Sequence, residues 1–140
     1  MTQAMRTYET GVLVVDTEPL CRWALREALR EVGFQVADSN GEHLPDCLDG
    51  IDVLVLDATL PGGGALTVLQ RVRASNPRCR VLLLTELDDV SLTRPWPQST
   101  SWQAMQKPFD IRALVAAVTT LADRSEGDST VKGENDALLL

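Results

Sequence analysis

Apolar residues along this chain fall into two alternating periods. VLVVD (12–16), FQVAD (34–38), IDVLVLD (51–57) and RVLLLT (80–85) are short, branched and nearly continuous apolar runs. Such runs predict strands covered on both faces, as in a parallel sheet. Between the first two lies PLCRWALREALREV, with apolar residues at 21, 24, 25, 28, 29 and 32 set against Arg22, Arg26 and Arg30 and closed by Gly33. This spacing predicts an amphipathic helix. Residues 64–75 and 110–121 repeat the pattern, the latter turning 111, 114, 115, 118 and 121 inward, and WQAMQ (102–106) predicts a short fifth strand. Alternating strands and helices imply βαβ units with right-handed crossovers, and so an α/β fold with a doubly wound sheet.

Two connections break the rhythm. Residues 42–49 allow only a short helix with Pro45 inside it, and RPWPQSTSW (94–102) sets two prolines where a further helix belongs, which truncates or distorts it. From Arg124 the composition shifts to Ser, Gly, Asp, Glu and Lys, predicting a disordered acidic tail over 123–140 apart from its LLL end. The expected organisation is an N-terminal extension (1–10), one domain (11–122) and that tail. A chain of 140 residues has no room for a second globular unit.

Composition narrows the function classes. Hydrophobic residues make up 44% and charged residues 24%, which is ordinary for a soluble globule. A net charge of −7 argues against nucleic acid as a partner, because phosphate neutralisation needs clustered Lys and Arg in excess. No run of 18 apolar residues occurs and MTQAMRTYET lacks a signal-peptide core, so no membrane and a cytoplasmic location are expected. Cysteines at 21, 47 and 79 form no even framework and no CxxC pair, in keeping with idle thiols in a reducing compartment.

Ligands of doubly wound sheets bind at the carboxyl ends of the strands. Asp16, Asp57, Thr85 and Lys107 sit at four such ends, so one pocket should gather them. The set suits phosphoryl transfer to a carboxylate. Asp57 is the candidate nucleophile, since Asp is a known covalent acceptor of phosphoryl groups. Thr85 offers a hydroxyl donor, and Lys107 a point charge for the phosphoryl oxygens.

VLVVDTEP, VLVLDATLPGG, VLLLT and QKPF, in this order and spacing, make the chain resemble the receiver domain of two-component response regulators over about residues 10–122. The resemblance implies a flavodoxin-like, five-stranded, CheY-like parallel fold. It makes Asp57 the phosphoacceptor, Asp16 the first acid of a pair, Thr85 the hydroxyl residue and Lys107 the site lysine, followed by a cis bond to Pro108. It implies Mg²⁺ held by Asp16, Asp57 and the main-chain carbonyl of Thr59. Its partners would be a histidine kinase or histidine phosphotransfer protein and a downstream protein, with a homodimer among the states open to it. The activity would be phosphoacceptance with self-phosphorylation and autodephosphorylation, rather than conventional enzyme turnover.

Three positions depart from the family pattern. Thr17 stands where the second acid belongs, which removes a charge from the metal site and weakens Mg²⁺ binding; Glu18, one residue on, is not a clear substitute. Glu86 replaces a small residue and is expected to project across the pocket and repel a phosphoryl group. Ala104 replaces the aromatic switch residue, so any readout needs another element, for which the segment carrying Trp96 and Trp102 is a candidate. Together these favour an alternative, a receiver-like interaction module working without phosphorylation. An ion pair between Lys107 and Asp57, with Thr17 turned away, would strengthen it. A phosphatase-like or nucleotide-binding enzyme on the same fold is a third class, without a supporting acid/base pair.

Blander readings stand beside these. Asp16 and Asp57 could cap helices, Thr85 could be structural, and Lys107 an ordinary surface lysine. Gly62–Gly64 reads as a turn into the next helix, because no phosphate-loop motif accompanies it. His43 reads as a surface residue. Trp23 lies off the apolar stripe, either over charged stems or as a docking contact for a kinase. The Arg22, Arg26, Arg30 row reads as a solvated face.

Overall fold

The computed structural model describes residues 10–86 and 102–123. Five strands form one sheet: β1 (Gly11–Val15), β2 (Gln35–Ser39), β3 (Ile51–Asp57), β4 (Arg80–Thr85) and β5 (Trp102–Gln106). They lie in the order β2-β1-β3-β4-β5 and every pair is parallel. This is the flavodoxin-like doubly wound order, whose winding reverses between β1 and β3. Helices α1 (Pro19–Glu31), α2 (Gly64–Ser75) and α3, over residues 111–123, cover the sheet.

The continuous apolar strands follow from cover on both faces. Leu13, Val15, Leu54, Leu56 and Leu83 point to one side, where Val68, Leu69 and Val72 of α2 meet them. Val12, Val14, Val55, Leu82 and Leu84 point to the other, under Leu25 and Leu29 of α1 and Leu114, Val118 and Leu121 of α3. Each such side chain contributes about 1.5–3 kcal/mol on burial, so the strands are fixed by packing. The site at their ends therefore sits on a rigid frame. α1 opens with Pro19, whose missing N–H is harmless in a first turn, and closes before Gly33 at φ 105°.

Several expectations shift. The first two strands run one residue off their expected bounds, so Asp16 follows β1 instead of ending it. No helix forms over 42–49. Ser39 Oγ accepts the Gly41 N–H at 2.9 Å and donates to the His43 carbonyl at 2.9 Å, while Asn40 Oδ1 accepts the Glu42 N–H at 2.8 Å. These local turns compete with helix, and Leu44 and Leu48 still reach the core. Val32 and Ile111, counted on inward stripes, are 45% and 37% exposed, since each lies at the end of its helix. Trp102 opens β5 and packs against the core, which makes it a structural residue and not a free docking ring. Gly62 and Gly63 take left-handed φ of 64° and 70° in a 3-10 turn leading into α2, as the turn reading has it. The extension 1–9, the segment carrying Trp96 and the tail beyond 123 lie outside the described residues.

Candidate functional site

Four parallel strands bring their carboxyl ends to one rim. Asp57, the last residue of β3, pairs in register with Leu84; Thr85 ends β4 beside it, Asp16 follows β1 and Lys107 follows β5. Asp16 is 0% exposed, Asp57 2% and Thr85 8%. Lys107 Nζ lies 3.2 Å from Asp16 Oδ2 and 3.6 Å from Asp57 Oδ2. Burial alone would lower the Lys107 pKa, but Asp16 and then Asp57 outweigh it and hold the ammonium above the ordinary lysine value. The Lys107 N–H donates to the Thr85 carbonyl at 2.6 Å, and the bond from Lys107 to Pro108 is cis. Lys107 is thus no ordinary surface lysine.

The two carboxylates close local turns rather than cap helices. Asp57 Oδ1 accepts the Thr59 N–H at 2.9 Å and the Thr59 hydroxyl at 2.7 Å, and Asp16 Oδ1 accepts the Glu18 N–H at 2.9 Å. Both are the Asx-type arrangement. The N-cap of α1 is Glu18 and that of α2 is Gly63, neither with a side-chain cap bond, so the helix-cap reading of Asp16 and Asp57 fails.

Sequence reasoning missed the clamp behind Asp16. Arg22 Nη1 donates to the Asp16 carbonyl at 2.7 Å and Arg22 Nε to Asp38 Oδ2 at 3.0 Å, while Arg26 Nη1 takes Asp38 Oδ1 at 3.1 Å. The Asp16 N–H reaches the Ser39 carbonyl at 3.1 Å. The arginine row is therefore not a merely solvated face. Its signal was present as two arginines one turn apart on α1 and an acid at the end of the neighbouring strand. Trp23 points out at 54% exposure, off the stripe as expected, and His43 is exposed.

Thr17, Glu18, Glu86 and Ala104 are all exposed. Glu18 and Glu86 share with Lys107 a cavity of about 570 Å³, whose walls include Cys21, Leu25 and Phe109. Burial and the adjacent Asp16 push the Cys21 thiol up to about 11, and burial pushes Cys79 up to about 12, which fits idle thiols. For a hard divalent cation the buried Asp16 and Asp57 carboxylates are oxygen donors of the right chemistry. No cluster of three or more His, Cys, Asp or Glu suited to a metal occurs among the described residues. The donor set fits Mg²⁺, with one carboxylate fewer for want of an acid at Thr17.

The fold agrees with the comparisons. The sequence profile of the response regulator receiver domain matches residues 12–119. Curated relatives include the transcriptional activator protein IrlR of Burkholderia pseudomallei, 35% identical over 86% of this chain and 54% of its own. Another is the transcriptional regulatory protein TrcR of Mycobacterium tuberculosis, 37% identical over 81% of this chain and 46% of its own. The chain thus spans about half the length of these relatives. Among solved structures, a CheY-like receiver domain protein from Methanospirillum hungatei superposes with a TM-score of 0.74 at 15% identity, covering 86% of this chain and 98% of that one.

Proposed function

Because the chain belongs to the response regulator receiver domain family of two-component systems, we propose that it accepts a phosphoryl group on Asp57 and signals through protein contacts. The observation that carries this reading is the meeting of Asp57, Asp16 and Lys107 within 3.6 Å contacts at the rim of the sheet, with Thr85 next to Asp57 in register. An Asp57 oxygen bonds to the donor's phosphorus as the donor's own bond to phosphorus breaks. Lys107 and Thr85 hold the phosphoryl oxygens, and the buried position of Asp57 limits water. Mg²⁺ held by Asp16, Asp57 and the Thr59 carbonyl would neutralise phosphoryl charge when bound.

Donor partners of histidine kinase or phosphotransfer type fit α1, where Leu20 and Trp23 stand exposed beside the site. A downstream protein or a second copy of the chain would read the result. Among the described residues no helix is long and apolar enough to cross a membrane. The charge argument against nucleic acid applies to these 140 residues alone.

One set of observations favours a second reading, an interaction module that works without phosphorylation. Thr17 is exposed and neutral where a second acid belongs, Ala104 presents only a methyl group, and Lys107 already stands between the two carboxylates. Intact-mass measurement of the full chain incubated with Mg²⁺ and either phosphoramidate or acetyl phosphate separates the two. A gain of one phosphoryl group that Asp57→Asn abolishes supports the first reading, and no gain from any donor supports the second.

A further inference from the structure

α1 and the turn from β5 into α3 flank one cavity, to which Ala24, Leu25, Phe109 and Ile111 give an apolar wall. At about 570 Å³ it has the size of a small-molecule site, where a mostly apolar wall carries a few fixed polar groups. The charged groups of this wall are Glu18, Glu86 and Lys107. The lysine is engaged by Asp16 and Asp57, whereas neither glutamate has an ion-pair partner among the described residues. One ammonium against the carboxylates of Asp16 and Asp57 leaves a single negative charge, and the two glutamates add two more. An anion is therefore repelled. A metal ion is poorly served too, since no cluster of three or more metal-ligating side chains occurs among the described residues and an apolar wall does not replace a hydration shell.

We infer that this cavity binds a small organic monocation, with its ammonium group held by Glu18 and Glu86 and its apolar body packed against the wall formed by α1 and the start of α3. Burial of the body supplies most of the affinity, and charge complementarity selects the head group. Replacing the ammonium by a hydroxyl forfeits both ion pairs while the body packs as before. Replacing it by a carboxylate turns attraction into repulsion. The inference stands apart from the phosphoacceptor reading, because Asp57 lies outside this wall.

The test titrates the full chain with three probes that share an indole body: tryptamine, the neutral alcohol tryptophol and the anion indole-3-acetate. Backbone amide shifts in two-dimensional NMR report both place and affinity. Tryptamine should shift the amides of Glu18, Cys21, Ala24 and Phe109 saturably. Tryptophol should bind about tenfold more weakly and indole-3-acetate more weakly still. Glu18→Gln and Glu86→Gln, both at exposed positions that leave the core untouched, should each weaken tryptamine about threefold, as expected for an exposed ion pair, and leave tryptophol unchanged. Salt at about 1 M should narrow the gap between tryptamine and tryptophol. Ala24→Trp, which fills the wall, should weaken all three. Equal affinities for the three probes, shifts that fall elsewhere on the chain, a tryptamine affinity that neither Gln variant moves, or no saturable binding of tryptamine would each overturn the inference and leave the phosphoacceptor reading standing.

Discussion

Lys107 Nζ donates to Asp16 Oδ2 across 3.2 Å, joining residues 91 apart in the chain. The bond ties the end of β5 to the end of β1 next to Asp57. It places the only ammonium described at the site between two carboxylates that water barely reaches.

Removing this cation exposes the two carboxylates to each other. Lys107→Met should lose about 1–3 kcal/mol of stability at neutral pH, less than a fully buried pair because Lys107 keeps some contact with water. Urea denaturation measures it. The folded pKa of Lys107 is raised above the ordinary 10.5, so its ion-pair contribution is fully present below that pH and is lost as pH rises through the folded value. The stability gap between wild type and Lys107→Met should therefore close at alkaline pH.

Arg22 and Asp38 hold Asp16 from behind. Arg22→Met should cost about 1–2 kcal/mol, and a double-mutant cycle with Asp38→Asn should show a coupling of about 1 kcal/mol. Asp57 phosphorylation should slow severalfold in Arg22→Met, because the Asp16 carbonyl loses the Arg22 bond. Additive stabilities in the cycle would mean that the 3.0 Å contact is energetically idle.

Thr59 places both its N–H and its hydroxyl on Asp57 Oδ1. The hydroxyl bond holds the resting carboxylate, and the proposed phosphorylation through Oδ1 would require it to be given up. Thr59→Ala should thus speed phosphorylation about fivefold, the kinetic equivalent of one hydrogen bond of about 1 kcal/mol. Stopped-flow or intact-mass kinetics with phosphoramidate would show it, and an unchanged rate would assign the attack to Oδ2.

Thr17 is exposed next to the buried Asp16. Thr17→Asp returns a carboxylate to the oxygen set, and Mg²⁺ affinity by isothermal titration calorimetry should rise about tenfold or more. Equal affinities in the two proteins would show that position 17 does not face the cation.

Much of this was legible in the sequence. Strands buried on both faces announce themselves as unbroken Val and Leu runs, and the polar residues that end those runs mark the rim. Hence Asp16, Asp57, Thr85 and Lys107 could be grouped before any coordinates. Contacts that depend on how elements settle against each other were not legible. Whether Arg22 faces solvent or Asp38 turns on the angle of α1 across β1 and β2. Whether Asp57 caps a helix or closes a turn is decided at Thr59, two residues on. Residues 42–49 carried a weak helical pattern that lost to side-chain bonds from Ser39 and Asn40, a competition that periodicity does not register.

The proposed acceptor, Asp57, is the most direct point of attack. Full-length protein treated with Mg²⁺ and phosphoramidate, reduced with borohydride and mapped by tandem mass spectrometry should carry homoserine at position 57 and at no other aspartate. Homoserine elsewhere, or an unmodified Asp57 under conditions that phosphorylate a control receiver domain, would contradict the account.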